Sequence, residues 1–186
     1  RGRRLNVRLP LRGVCSVEQL RRLVKRRNLN GLCQLLGSLG GGECLDDRAE
    51  LVAQEDAMME AVLVSGIAYD KDQARVTMHG MPDKPGVAAS LFGAISEAGI
   101  LVDMIVQNTS NDGHTDMTFT ISKKDLKKTL EVCSTVSKKY GDCDITYSTN
   151  VAKISCIGVG MRNHTGVAAR AFSALTKEGI NILMIS

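Results

Sequence analysis

Apolar and polar positions follow two periods along this chain, and the switches between them mark the elements. Arg75–His79 alternates and predicts a strand. Gly80–Pro85 is rich in breakers and predicts a loop. Val87, Leu91, Ile95 and Ala98 then recur at helical spacing, with Ala88, Phe92 and Ala94 widening the stripe. Asp83 or Lys84 stands where the helix cap is expected, with Pro85 in the first turn and Gly99 ending the helix. Ile100–Val106 is a nearly continuous apolar run, the mark of a buried strand.

The same pattern returns further on. Gly86–Ile105 set against Gly166–Ile185, an offset of 80 residues, is identical at ten of twenty positions. The matches include Gly86/Gly166, Val87/Val167, Ala88/Ala168, Phe92/Phe172, Gly99/Gly179 and Met104/Met184. Chance similarity between amphipathic helices would keep the apolar period. It would not keep both the opening and the closing glycine, so the chain carries two copies of one unit.

Between the copies, Ser110–His114 with its Asp-Gly pair predicts a hairpin turn, and Thr115–Ile121 a strand. Lys123–Lys139 predicts a helix burying Leu126, Leu130, Cys133 and Val136 or Ser137, with its lysines on a solvated face. Gly141–Ser148 predicts a fourth strand, and Val151–Ile157 opens the second copy. The first unit is thus βαββαβ, the ferredoxin-like order, in the α+β class, and the second stops after βαβ. Ahead of them, Ala61–Ala68 predicts a strand and Tyr69–Gln73 a turn. Ser16–Leu36 fits a helix through Val17, Leu20, Leu23 and Val24, followed by the glycine run Gly37–Gly42 and polar, helix-leaning Asp46–Met59. The expected division is 1–53 as a remnant or linker, 54–74 as a lead-in, 75–149 as the first domain and 150–186 as a second, incomplete one.

Composition narrows the picture. The 186 residues contain 44% hydrophobic side chains but only 3% aromatic ones and no Trp, so the core is built from aliphatic residues and Met. No apolar run approaches membrane-spanning length. Residues 1–50 carry a net charge of +6 and the remainder −2, so the overall +4 belongs to the N-terminal stretch. Its RRLVKRR run is a solvated segment, a contact for nucleic acid or acidic lipid, or a presequence-like stretch. The six cysteines form no CxxC pair and lack histidines at metal-ligand spacing, which predicts reduced thiols, with Cys133 and Cys156 in the core. None of the three histidines shows a carboxylate or thiol partner in sequence; His79 is expected at a strand end.

Several blocks, in order, carry a family resemblance. MPDKPGVAASLF, VDMIVQN, GVGMRNHTGVAARAF and EGINILMIS, with the lead-in AVLVSGIAYDKD, resemble the paired ACT domains at the C-terminus of aspartate kinases over about residues 54–186. Residues 10–50 depart from that pattern, and Thr165 replaces the counterpart of Pro85. The resemblance implies a regulatory region that binds lysine and/or threonine and restrains an ATP-dependent aspartate kinase of the lysine, threonine and methionine route. It implies a cytoplasmic protein paired with itself through its ACT domains or with a catalytic subunit. It also implies that the first module lies within the sequence of the second, with Ala61–Ala68 in the second module's sheet. No phosphate loop followed by Lys occurs here, so ATP and magnesium belong to a kinase domain outside these residues, and no catalytic residue or metal site is expected.

The chemistry of a free amino acid fits such a site. A helix N-terminus offers N–H groups and positive potential to the carboxylate. Gly86 allows close approach, and Asp83 either meets the ammonium or caps the helix. Gln107 can hydrogen-bond the ligand. By the resemblance, Gly86, Val87, Ala88, Gln107 and Asn108 are contacts from the first module. Ala168, Asn181 and Ile182 come from the second, which faces the partner subunit's first module. The truncated second sheet predicts an open edge and a chain that is marginally stable or dimeric. The alternatives are an ACT regulator without a kinase and an RNA-binding ferredoxin-like module, the latter disfavoured by few strand aromatics.

Overall fold

The computed structural model describes residues 11–25, 66–109, 113–157 and 166–186. The expected elements at Gly37–Gly42 and Asp46–Met59, most of Ala61–Ala68, and positions 110–112 and 165 lie outside them. The described elements are β1 (Leu11–Cys15), α1 (Val17–Lys25), β2 (Gly66–Pro82), α2 (Val87–Glu97), β3 (Val102–Thr109), β4 (His114–Ser122), α3 (Leu126–Lys138), β5 (Ile145–Ile157), α4 (Val167–Lys177) and β6 (Met184–Ile185). They form two compact units, each with its own core.

The unit of residues 71–151 has the βαββαβ order, with strands arranged β3-β4-β2-β5. Strand β4 runs antiparallel to β2 (Val76↔Phe119) and to β3 (Ile105↔Phe119). Alternation explains the faces. Ala74, Val76 and Met78 on β2 and Met117, Phe119 and Ile121 on β4 are buried with Val87, Leu91 and Ile95 of α2. Cys133 and Val136 of α3 close the same core. Phe92 meets Phe119 edge to face, 5.5 Å between centroids. Lys128 of α3 donates its ammonium to the carbonyl of Ala98 at the C-terminal end of α2, where a cation is favoured.

The other unit joins residues 11–25 and 66–70 to 152–157 and 166–185. Cys15, Val17, Leu20, Ile67, Ile154, Cys156, Val167, Ala171, Leu175 and Ile180 make its core. Strand β1 lies between β5 and β6, antiparallel to both. An unfinished sheet was expected here, with residues 1–53 as a remnant or linker. Instead, Leu11–Cys15 pairs with Ala152–Cys156, and the main-chain groups of the two strands satisfy one another.

Two further expectations are corrected. The turn at Tyr69–Gln73 is absent, because β2 runs unbroken from Gly66 to Pro82. The polar residues there find partners along the strand: Ser122 donates to Asp72 at 2.6 Å and Lys123 to the carbonyl of Lys71 at 2.6 Å. Likewise the strands expected at Gly141–Ser148 and Val151–Ile157 are one strand, Ile145–Ile157.

Candidate functional site

Two equivalent places stand out, one in each unit. In the first, β2 ends at Pro82, and the loop from Asp83 to Gly86 turns into α2. The amide of Asp83 donates to the carbonyl of Gly113 at 2.9 Å, that of Lys84 to Pro82 at 3.0 Å, and that of Val87 to Lys84 at 3.3 Å. The cap is Gly86, with φ 94° and ψ −18°, and no side chain caps the helix. The helix therefore starts after Pro85, later than expected, and neither Asp83 nor Lys84 caps it. A left-handed residue ends the loop because only that geometry swings the chain from the turn into the helix axis, and glycine adopts it without strain. Asp83 is exposed, and its carboxylate is bonded to none of the described residues.

The remaining first-module candidates divide by what they can offer. Val87 is buried in the core and Ala88 half-buried against it, so both present main chain only. The amides of Ala88 and Ala89 belong to the helix's first turn, which has no intrahelical acceptors. Gln107 and Asn108 sit exposed near the end of β3, at the edge of this unit's sheet. Gln107 pairs with buried Met117 and so shares the face that α2 covers; Asn108 pairs with Asp116 and takes the other face. The carbonyl of Asn108 accepts the Thr115 hydroxyl at 2.6 Å. Strand β4 separates the end of β2 from the end of β3, which puts the loop and Gln107 about 10 Å apart, two strand spacings.

The second place repeats the first. Gly166 caps α4 at φ 86° and ψ 1°, again without a side-chain cap. Ala168 is exposed in the first turn, and the amide of Arg170 reaches back to Gly166 at 3.0 Å, as Ser90 does to Gly86 at 2.9 Å. Asn181 is exposed, whereas Ile182 is half-buried against the unit's core. Both lie between the closing Gly179 and β6.

One constellation escaped the sequence reading. His79, expected to have no carboxylate partner, sits 2.9 Å from Asp116 through Nδ1 and 2.9 Å from the Thr146 hydroxyl through Nε2. The other Asp116 oxygen accepts the Gly80 amide at 2.9 Å. His79 and Gly80 fall in the irregular register between Met78 and Met81, one turn of chain ahead of the site loop. The three partners come from β2, β4 and β5, so only the sheet pairing reveals them. The available signal was the Gly after His79, a mark of a bulge.

Cys15, Cys133 and Cys156 are buried, and burial raises each thiol pKa from 9.0 to about 11. Cys143 is raised too, chiefly by desolvation. Among the described residues no helix is long and apolar enough to cross a membrane.

The ACT domain profile matches residues 76–136 and 154–186, which include both helix openings up to Gly86 and Gly166 and the strands after them. The chain is similar to the aspartate kinase of Stutzerimonas stutzeri, at 47% identity over 136 residues, 73% of this chain and 33% of that protein. It is similar to an aspartokinase of Helicobacter pylori at 49% over 139 residues, 73% of this chain and 34% of the other. The chain thus spans about a third of the length of these curated relatives. Among solved structures it resembles one of aspartokinase alpha and beta subunits, at 50% identity and TM-score 0.61, covering 66% of this chain and 80% of that one. It also resembles the ligand-free regulatory subunit of aspartate kinase from Thermus thermophilus, at 36% and 0.63, covering 67% and 82%.

Proposed function

This chain belongs to the ACT-domain family, in its aspartokinase regulatory line, and from that premise we propose that it senses a free amino acid and transmits the signal to an aspartate kinase. One observation carries the reading most: each unit opens a helix on an uncapped left-handed glycine, Gly86 and Gly166. The first-turn amides of Ala88 and Ala89, bonded to none of the described residues, and the helix dipole suit an α-carboxylate. Exposed Asp83 supplies a counter-charge for the ammonium, and Gln107 a polar group on the same face as α2. Ala168, Asn181 and Ile182 form the corresponding half-site of the second unit. Lysine and threonine are the proposed effectors.

The proposed partner is a second copy of the chain, or a catalytic subunit, in the cytoplasm. Strand β3 supports an association at its edge, where Ile105 is 49% exposed and Leu101 just before it 81%. The effector would favour one arrangement of subunits and so lower phosphorylation of aspartate in a kinase domain that holds ATP and magnesium. The extent is limited by its differential affinity for the two arrangements. An RNA-binding role is not favoured. Phe119 is fully buried, which leaves Tyr147 of β5, 58% exposed, as a single exposed strand aromatic among the described residues where base stacking needs several.

Calorimetric titration of lysine and of threonine into the chain tests the reading. Saturable binding of either one, weakened at least tenfold by Asp83→Ala, is expected. Absence of heat with both amino acids at millimolar concentration, in a chain shown to be folded, would sink it.

A further inference from the structure

The two units have the same spatial strand order, but one of them is assembled out of sequence. In the unit of residues 71–151, the first strand β2 is followed by α2, β3, β4, α3 and β5, in the order β3-β4-β2-β5. In the other unit β5 leads into α4 and β6, and β1 with α1 then occupies the places that β4 and α3 hold in the first. Gly66–Asp70, the start of β2, belongs to this unit, with Ile67 in its core, and β2 neighbours β5, so the order reads β6-β1-β5-β2. Strand β1 is antiparallel to both neighbours, just as β4 is.

The side chains agree with that placement. Val17 and Leu20 of α1 pack into one core with Ala171, Ala174 and Leu175 of α4. Ser16 and Ser122 both stand at the junction of strand and helix, Leu20 and Leu126 follow at equal distance, and Arg21–Arg22 matches Lys127–Lys128. The side-chain amide of Gln19 donates to the carbonyl of Gly179, which closes α4, at 3.3 Å. The carbonyl of Val14 accepts the amide of Leu183 at 2.7 Å.

We infer that Leu11–Lys25 takes the places of third strand and second helix in the second module, docked in cis between β5 and β6. The slot it fills is a docking surface for a strand–helix element with apolar residues at Val17 and Leu20 spacing. Docking has a consequence for the site. The Val14–Leu183 bond and the approach of Ile182 to Gly13 hold the segment that carries Asn181 and Ile182. The N-terminal strand is thus a positioning element for the second half-site, a part of the inference that rests on the effector reading above.

The test uses the full chain. Cys15 faces Ala152 in register, and directly opposed residues of antiparallel strands lie within disulfide reach. Ala152→Cys is oxidised under mild conditions, and the linked peptides are identified by mass spectrometry. A Cys15-to-position-152 link within monomers is expected, and absent when Cys15→Ser is added. No such link, or one found only in covalent dimers, overturns docking in cis. Should the variant fail to fold, the unsubstituted chain gives a second reading: the Leu183 amide exchanges about 100-fold slower than in an unstructured peptide. An unprotected amide also overturns the inference. Lysine and threonine affinity is then measured in the full chain and in Leu20→Glu, where at least tenfold weakening is expected. Unchanged affinity overturns the positioning role. Formation of the link with no binding of either amino acid leaves the docking standing and removes the effector reading alone.

Discussion

Gly86 and Gly166 open their helices with the same left-handed backbone, at φ 94° and 86°, although 80 residues separate them. The closing pair Gly99 and Gly179 agree as closely, at φ 69° and 68°. An added Cβ at either opening glycine meets nothing within 4 Å, so the demand for glycine is conformational and not one of space.

That distinction makes a prediction. Gly86→Ala should cost on the order of 1–2 kcal/mol through the left-handed penalty alone. Gly86→Asn should cost less, because Asn tolerates the region better. Urea denaturation followed by circular dichroism measures both; equal losses would contradict the assignment.

Leu91 is fully buried in the core that α2 shares with β2, β4 and α3. Leu91→Ala should destabilise its unit by about 2–5 kcal/mol, the range for a large aliphatic deletion in a packed core. Ala89→Ser, at an exposed position of the same helix, should change stability by less than about 1 kcal/mol. Thermal unfolding of the two variants side by side checks the difference.

The His79–Asp116 contact is partly open to water, with 39% and 47% of the side chains exposed, so its ionic part should be small. A double-mutant cycle on His79→Ala and Asp116→Asn should give a coupling below about 1 kcal/mol. Asp116→Ala should cost more than Asp116→Asn, since it alone leaves the Gly80 amide without its acceptor. Denaturant midpoints decide the order.

The buried thiols predict alkaline sensitivity. Burial holds the Cys15, Cys133 and Cys156 thiols protonated up to about pH 11 in the folded chain, against an ordinary value of 9.0. The unfolded chain releases them first, so their contribution is complete below pH 9 and is lost as pH rises towards 11. Each is worth at most roughly 2–3 kcal/mol. Stability measured from pH 8 to 11 should fall over that window, and less so in Cys133→Ala than in the parent. Site-resolved alkylation at pH 8 should label Cys143, which is half-buried, well before those three.

The repeat, both helices with their bounding glycines, and the apolar stripe Val87, Leu91 and Ile95 were legible because they are local. Periodicity and backbone conformation depend on near neighbours in the chain. The candidate site was partly legible for the same reason: Gly86 and Gly166 show themselves by position. Gln107 and Asn108 were read as a pair, yet sheet register sends them to opposite faces, and register is set by the partner strand. The turn expected at Tyr69–Gln73 failed because Asp72 and Lys71 find partners in Ser122 and Lys123, about fifty residues away.

By itself the order of residues determined a duplicated βαβ unit, its glycine-bounded helices and its aliphatic core. Tertiary structure alone decided that Leu11–Cys15 lies between β5 and β6, and that His79 meets Asp116 and Thr146. Strand pairing joins groups through backbone hydrogen bonds that carry no side-chain signature, so its outcome rests on which edges remain open once the local elements have formed.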